Sequence, residues 1–169
     1  MEANIAASRK GRESSNFEEH VQREATARAA SNQPVSANRG ISEVIETTGK
    51  SSKAQAFEDA LPGTTYDIAT RGKLVPALKF DNPNPRGRSE VRFDGRDSVD
   101  SNLLVDRKLN VTTHSKQVAD MQRWAEALRQ NPGVSVRIEV PTEAARKAAI
   151  RLIRKAGTES SPISVVVVK

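Results

Sequence analysis

The chain has 169 residues, with 27 Lys and Arg against 21 Asp and Glu for a net charge of +6, and aromatic residues make up only 4%. That length suits one domain with an appended segment. Cysteine is absent, which excludes a disulfide framework and a thiolate zinc site; nothing approaches an apolar membrane span, and the N-terminus lacks the apolar core of a secretory signal.

Residues 1–50 are rich in Ser, Ala, Asn, Glu and Arg and poor in bulky apolar residues. They hold seven basic and seven acidic residues, so the whole positive surplus lies in residues 51–169. We therefore read 1–50 as a linker with a partly helical stretch over 16–30, where Phe17, Val21 and Ala25 are spaced helically, ended by Ser31-Asn32-Gln33-Pro34. The surplus in 51–169 suits a polyanionic substrate.

Leu74-Val75-Pro76-Ala77-Leu78-Lys79-Phe80 is apolar, and the Pro/Asn loop that follows carries Arg86 and Arg88, which either bind phosphates or are merely solvated. In the next strand Val91 and Phe93 share one face, and Arg92 and Asp94 the other. Gly95 opens a polar connection to a strand that starts at Leu103 and runs on past Lys108 through Leu109 and Val111, in which Asp106 and Lys108 share a face opposite Leu103, Val105 and Arg107. Paired as a hairpin, these strands bring Asp94 up to Asp106. Two carboxylates can then hold a Mg²⁺ that also binds a phosphate oxygen, with Lys108 beside the attacking water or the phosphate.

Thr112-Thr113-His114-Ser115 offers helix N-caps. Val118, Met121, Trp124, Ala125 and Leu128 then predict an amphipathic helix over Lys116–Gln130, stopped by Asn131-Pro132-Gly133. Residues 134–140 alternate as a strand. Glu143–Ala156 follows as a helix with Ala145, Ala148, Ala149, Leu152 and Ile153 inward, closed by Gly157. The continuous apolar run Ile163–Val168 predicts a last strand buried on both faces. The fold class is therefore α/β, a mixed central sheet flanked by helices, with the acidic pair at one end of the sheet.

This layout resembles the PD-(D/E)xK restriction-endonuclease-like fold, and more narrowly the nuclease toxin modules at the C-termini of bacterial polymorphic toxins and contact-dependent growth inhibition proteins. The residues that carry the resemblance are Phe93-Asp94-Gly95, the only acid-x-lysine triplet Asp106-x-Lys108, and the helix, strand, helix and apolar strand after it. It covers Lys53 to Lys169. The motif departs from the family pattern in having Phe93 where a proline precedes the first aspartate. The resemblance implies Asp94 and Asp106 as ligands of Mg²⁺, Mn²⁺ or Zn²⁺, Lys108 as the catalytic lysine, and Gln117 near the metal or phosphate. It also implies a glutamate on the first core helix, for which Glu58 is the candidate and Glu18 the rival. Arg86, Arg88, Arg107 and His114 are the candidate substrate contacts.

The implied activity is endonucleolytic, with tRNA favoured over DNA because the chain is small and its basic surplus modest. A cognate immunity protein is the implied partner, acidic where it covers the basic cleft. No membrane insertion and no small-molecule cofactor are expected. The implied setting is delivery from a larger secreted or cell-surface protein into a target-cell cytoplasm. Two other chemistries remain open: a metal-independent ribonuclease using His114 with Lys108, which leaves His20 as the one other histidine, and a non-catalytic nucleic-acid-binding or interaction module.

Overall fold

Ile41-Ser42-Glu43-Val44-Ile45 alternates apolar and polar, and it forms the first strand of a computed structural model that describes residues 40–46 and 50–169. This strand, β1 (Ile41–Ile45), runs antiparallel to β3 (Lys73–Lys79), with Ile41 opposite Leu78 and Val44 opposite Val75. The composition boundary at residue 50 assigns it to the linker; the register places it in the sheet. Glu18, His20 and the helix expected over 16–30 lie outside the described residues.

Helix α1 (Ser52–Asp59) starts where Ser51 Oγ accepts the Ala54 N–H at 3.3 Å, the bond an N-cap serine makes. A short strand, β2 (Thr65–Tyr66), then pairs with the start of β3, and β4 (Glu90–Arg92) pairs with its end on the same edge. The β4 ladder stops for a simple reason. Phe93 N donates to Pro76 O at 2.9 Å, but proline has no N–H to return. The chain leaves β3 at this point, passes Asp94, and re-enters as β5 (Gly95–Arg96) in a second sheet.

That second sheet has the order β5-β6-β7-β8, with β6 Leu103–Arg107, β7 Ser135–Val140 and β8 Ile163–Val167. Its first pair is antiparallel and the other two are parallel. The parallel pairs are bridged by α2 (Ser115–Gln130) and α3 (Glu143–Ala156), as parallel strands require. The fold is thus mixed α/β, but with two four-stranded sheets sharing the Glu90–Arg96 run rather than the single central sheet expected.

Leu104, Val136, Ile138 and Val140 of the second sheet are buried with Met121, Trp124, Ala127 and Leu128 of α2 and Leu152, Ile153 and Ala156 of α3. Phe93 joins them, its ring 4.9 Å from that of Trp124. Helix α3 begins with Thr142 Oγ1 accepting from Ala145 N and ends at Gly157, whose φ of 68° is the left-handed cap. The expectation that β8 is buried on both faces is corrected. β8 is an edge strand, with Ser164 and Val167 exposed and Val165 and Val166 half-buried. An apolar run of this length is explained by packing on one face against α3 and by valine's strand preference. Among the described residues no helix is long and apolar enough to cross a membrane.

Candidate metal centre

Asp94 sits at the crossing between the two sheets, and the hairpin register Gly95 opposite Val105 sets it facing the Asp106 end of β6. Its Oδ2 accepts the backbone N–H of Arg107 at 2.6 Å. Glu58, on the last turn of α1, reaches the same point. It does so because α1 lies close over β5: a Cβ at Gly95 would overlap Leu61 Cδ2, so only glycine lets the helix end approach this far. Glu46, one residue beyond β1, completes the group. One carboxylate oxygen from each of Glu46, Glu58 and Asp94 lies within 4.8 Å of the others.

Lys50 Nζ stands among them, 2.7 Å from Glu46 Oε1 and 3.2 Å from Asp94 Oδ1, and bonded to Glu58 Oε2. Burial opposes the ammonium charge, but Asp94, Glu46 and Glu58 outweigh it and raise the Lys50 pKa. Burial pushes the Glu58 carboxyl up to about 7, with Lys50 pulling it down and Asp94 adding to the rise.

Asp106 belongs to the neighbouring pair rather than to that trio. Glu58, Asp94 and Asp106 are all buried residues, at 6%, 7% and 6% exposure. Asp106 Oδ2 is ion-paired with Lys108 Nζ at 2.8 Å, and among the described residues it has no other hydrogen-bond partner. Burial pushes the Asp106 carboxyl up to about 6, Lys108 lowers it, and the charge of Asp94 raises it again. Lys108 follows β6 directly, its N–H donating to Glu139 O at 2.9 Å, and its ammonium lies 5.1 Å above the Trp124 ring. Burial opposes its charge, yet the Asp106 carboxylate wins and raises its pKa.

The donor set fits a hard divalent cation. It is all carboxylate oxygen, with no imidazole or thiolate, which suits Mg²⁺ or Mn²⁺ better than Zn²⁺. The buried Asp106 carboxylate, paired with Lys108, lies within electrostatic reach of Asp94 and Lys50. Of the expected ligands, Glu58 and Asp94 fall in the three-residue cluster, Asp106 stands beside it, and Glu46 takes the place expected of Asp106.

The other expected site residues scatter. Arg107 points to the opposite face from Lys108, where its Nε donates to Glu139 Oε2 at 2.8 Å and its Nη1 to Phe57 O at 2.8 Å, with the Phe57 ring 5.2 Å below. Its guanidinium is committed to holding α1 rather than offered to a phosphate. Gln117 Oε1 accepts the Thr112 N–H at 2.7 Å, which fixes the turn into α2. His114 is an exposed N-cap that makes no capping bond. Arg86 and Arg88 are exposed in a loop organised by Asn82 and Asn84; Asn82, Asn84 and Gly87 of this loop line a groove against Ala119 and Arg123 of α2, and neither arginine lines it.

Sequence reasoning missed Glu46, Lys50 and Glu139. The alternation over Ile41–Ile45 was the available signal for the first. No protein-family model, curated protein or solved structure matches the chain.

Proposed function

We propose that the chain is a metal-dependent endonuclease of restriction-endonuclease-like fold, acting as an antibacterial toxin. One observation carries the reading: Glu58 from a helix and Asp94 from the sheet junction meet in a buried acidic cluster beside the Asp106–Lys108 pair. Acids that share no local structure gather at one point here, next to a lysine held as an ammonium. Metal-dependent phosphodiester hydrolysis can use this combination.

Glu46, Glu58 and Asp94 would hold the cation, with Asp106 at its flank. When bound, Mg²⁺ or Mn²⁺ supplies a water of lowered pKa and neutralises charge on the phosphate. Lys108 orients the attacking water or meets the charge developing on the phosphate oxygens. Asp106 keeps Lys108 protonated and aimed, and the Trp124 face limits where the ammonium can swing.

The favoured substrate is tRNA, on the small size of the chain and its modest surplus of +6, with DNA the alternative. A toxin of this kind would be delivered as part of a larger secreted or cell-surface protein, act in the target-cell cytoplasm, and be neutralised by an immunity protein with an acidic face. The test is incubation with total tRNA and, separately, plasmid DNA, in Mg²⁺, Mn²⁺ or EDTA, alongside Asp106→Ala. Metal-dependent cleavage of one substrate, lost in the variant, is the expected result. Cleavage that survives EDTA and needs His114 would replace the metal mechanism. Tight binding without cleavage would make the chain an interaction module.

A further inference from the structure

Helix α3 carries its positive charge in one stripe. Lys147, Arg151 and Arg154 follow one another at spacings of four and three, so they share one face, and all three are exposed. Ala149, Leu152, Ile153 and Ala156 lie on the opposite face and are buried. The one acid of the helix, Glu143, is taken by Arg146 at 2.9 Å. Among the described residues the side chains of Lys147, Arg151 and Arg154 have no ion-pair or hydrogen-bond partner. Helix α2 differs: its Arg123 is paired with Asp120 and its Arg129 with Glu126. Like charges three and four residues apart work against a helix. The helix dipole favours Arg154 in the last turn, but it offers nothing to Lys147 or Arg151 farther from the end. Nothing within α3 therefore accounts for the stripe.

We propose that the outer face of α3, through Lys147, Arg151 and Arg154, binds the sugar-phosphate backbone of a nucleic acid. This rests on the endonuclease reading and gives its substrate a surface. The stripe lies within reach of the Asp106–Lys108 pair. Lys155 Nζ donates to Thr113 O at 2.9 Å, which ties the last turn of α3 to the connection between Lys108 and α2. Thr113 follows Lys108 by so few residues that at most about 18 Å of chain separates them. Exposed His114 and Lys116 adjoin that contact and extend the basic surface. From Lys147 to Arg154 the helix rises about 10 Å, the axial length over which one strand of a duplex carries about three phosphates. An anionic membrane fits less well. A helix that lies on a bilayer sinks its apolar face into lipid, and the apolar face of α3 is committed to the core. A protein partner is drawn to an apolar or aromatic centre, and the stripe presents none.

The experiment is a titration of labelled tRNA and, separately, of a labelled DNA duplex with the full chain, read by fluorescence anisotropy in EDTA over a series of salt concentrations. The proteins are wild type, the triple variant Lys147→Gln/Arg151→Gln/Arg154→Gln, the single variant Arg151→Gln, and a control triple Lys53→Gln/Arg71→Gln/Lys79→Gln. The control removes the same charge from exposed positions on other elements. The slope of log affinity against log salt counts the phosphates neutralised. The stripe triple should lose about 2–3 from that slope and bind about tenfold more weakly, while the control loses less than about 1. Arg151→Gln alone should lose about 1, and it carries the test if the triple does not fold. The Tm of the stripe triple should match or exceed that of wild type, because only like-charge repulsion has been removed. A wild-type slope in the stripe variants, or an equal loss in the control, overturns the interface, and the endonuclease reading survives if wild type still cleaves in Mg²⁺. A slope lost in the stripe triple, in a chain that cleaves nothing with any metal, supports the interface and removes the endonuclease reading. Binding of neither nucleic acid by wild type overturns both. Retention on phosphatidylserine vesicles that the stripe triple loses, with nucleic-acid binding unchanged, assigns the face to a membrane and overturns the proposal.

Discussion

The backbone N–H of Arg107 donates to Asp94 Oδ2 at 2.6 Å, so the strand that carries Asp106 and Lys108 also orients the carboxylate at the sheet junction. The Arg107 side chain extends the same link the other way. It bonds Phe57 O, the carbonyl just before Glu58, and Glu139 on the adjacent strand. One residue thus ties three contributors to the site into a fixed geometry, and does so from the face opposite Lys108.

Replacing Arg107 with Met should therefore cost both stability and metal binding. The Arg107 and Glu139 side chains are 10% and 5% exposed, so removing the guanidinium leaves a buried carboxylate with Arg137 as its remaining partner. We expect a loss of about 2 kcal/mol, measured by urea unfolding, below the roughly 3–5 kcal/mol of a buried pair left wholly uncompensated because Arg137 stays beside Glu139. Arg107→Lys should restore part of the stability but not the bond to Phe57 O, because an ammonium lacks the planar fork. Stability fully restored by lysine would show that charge alone, not the hold on α1, is what Arg107 provides.

Gly95→Ala tests whether the approach of α1 sets the position of Glu58. The added Cβ would overlap the buried Leu61 side chain, and overpacking of this kind costs about 1–3 kcal/mol. Leu61→Ala removes the obstacle while opening a cavity. The double variant should be clearly less destabilised than the sum of the two singles, a coupling that a double-mutant cycle reads directly. Strict additivity would mean that the helix end yields without strain.

The elements that were legible in the sequence are those whose pattern is local. The alternation over Leu103–Arg107 put Asp106 and Lys108 on one face, and the turn-rich connection to Gly95 implied the hairpin that brings Asp94 opposite. The helical spacing of Met121, Trp124 and Leu128, and of Ala149, Leu152 and Ile153, marked the faces that are buried. What was not legible depends on pairing across long sequence separations. Glu46 and Lys50 enter the site because β1 pairs with β3, and their composition alone reads as linker. Glu139 meets Arg107 through the parallel register of β6 and β7, which a lone alternating strand does not reveal. The run of valines in β8 is equally silent on how many neighbours the strand has.

Without metal, the site should make the protein less stable as pH rises through the acid-to-neutral range. The Glu58 carboxyl moves from 4.5 to about 7 and that of Asp106 from 3.8 to about 6, so the folded state keeps protons that the unfolded state releases. Folding then binds protons in that interval, and stability falls as pH climbs through it. Glu126 works the other way: its contacts with Arg129 and Gln130 lower its pKa from 4.5 to about 2, so its contribution is present above the ordinary value and fades only on further acidification. Thermal melts in EDTA should thus decline from about pH 5 to about pH 7, while the Mn²⁺-induced rise in Tm grows across the same range, because only ionised carboxylates coordinate. A Tm that rises steadily with pH in EDTA would show that Lys50 and Lys108 compensate the buried acids completely.

Lys108→Met separates the lysine's chemistry from its structural part. Removing the ammonium takes away the charge 2.8 Å from Asp106 Oδ2 and leaves that carboxyl buried with Asp94 nearby. Asp106 responds by holding its proton to higher pH, since Lys108 is the nearest group lowering its pKa. Below about pH 6 the variant should be nearly as stable as wild type, because a neutral carboxyl needs no counter-charge. Above it, stability should drop by about 1–2 kcal/mol, less than for a fully buried pair because the Lys108 side chain is 27% exposed and already shares its charge with water. Nuclease activity should be absent at every pH. Lys108→Arg should recover the stability at high pH, but little of the activity, because a planar guanidinium on a different stem cannot put a compact point charge where the ammonium sits beside Asp106. Urea unfolding at acid and alkaline pH, beside cleavage assays on the same preparations, reads both effects. A stability loss equal at both pH values would mean that Lys108 supports the fold through its stem packed on Trp124, rather than through its charge on Asp106.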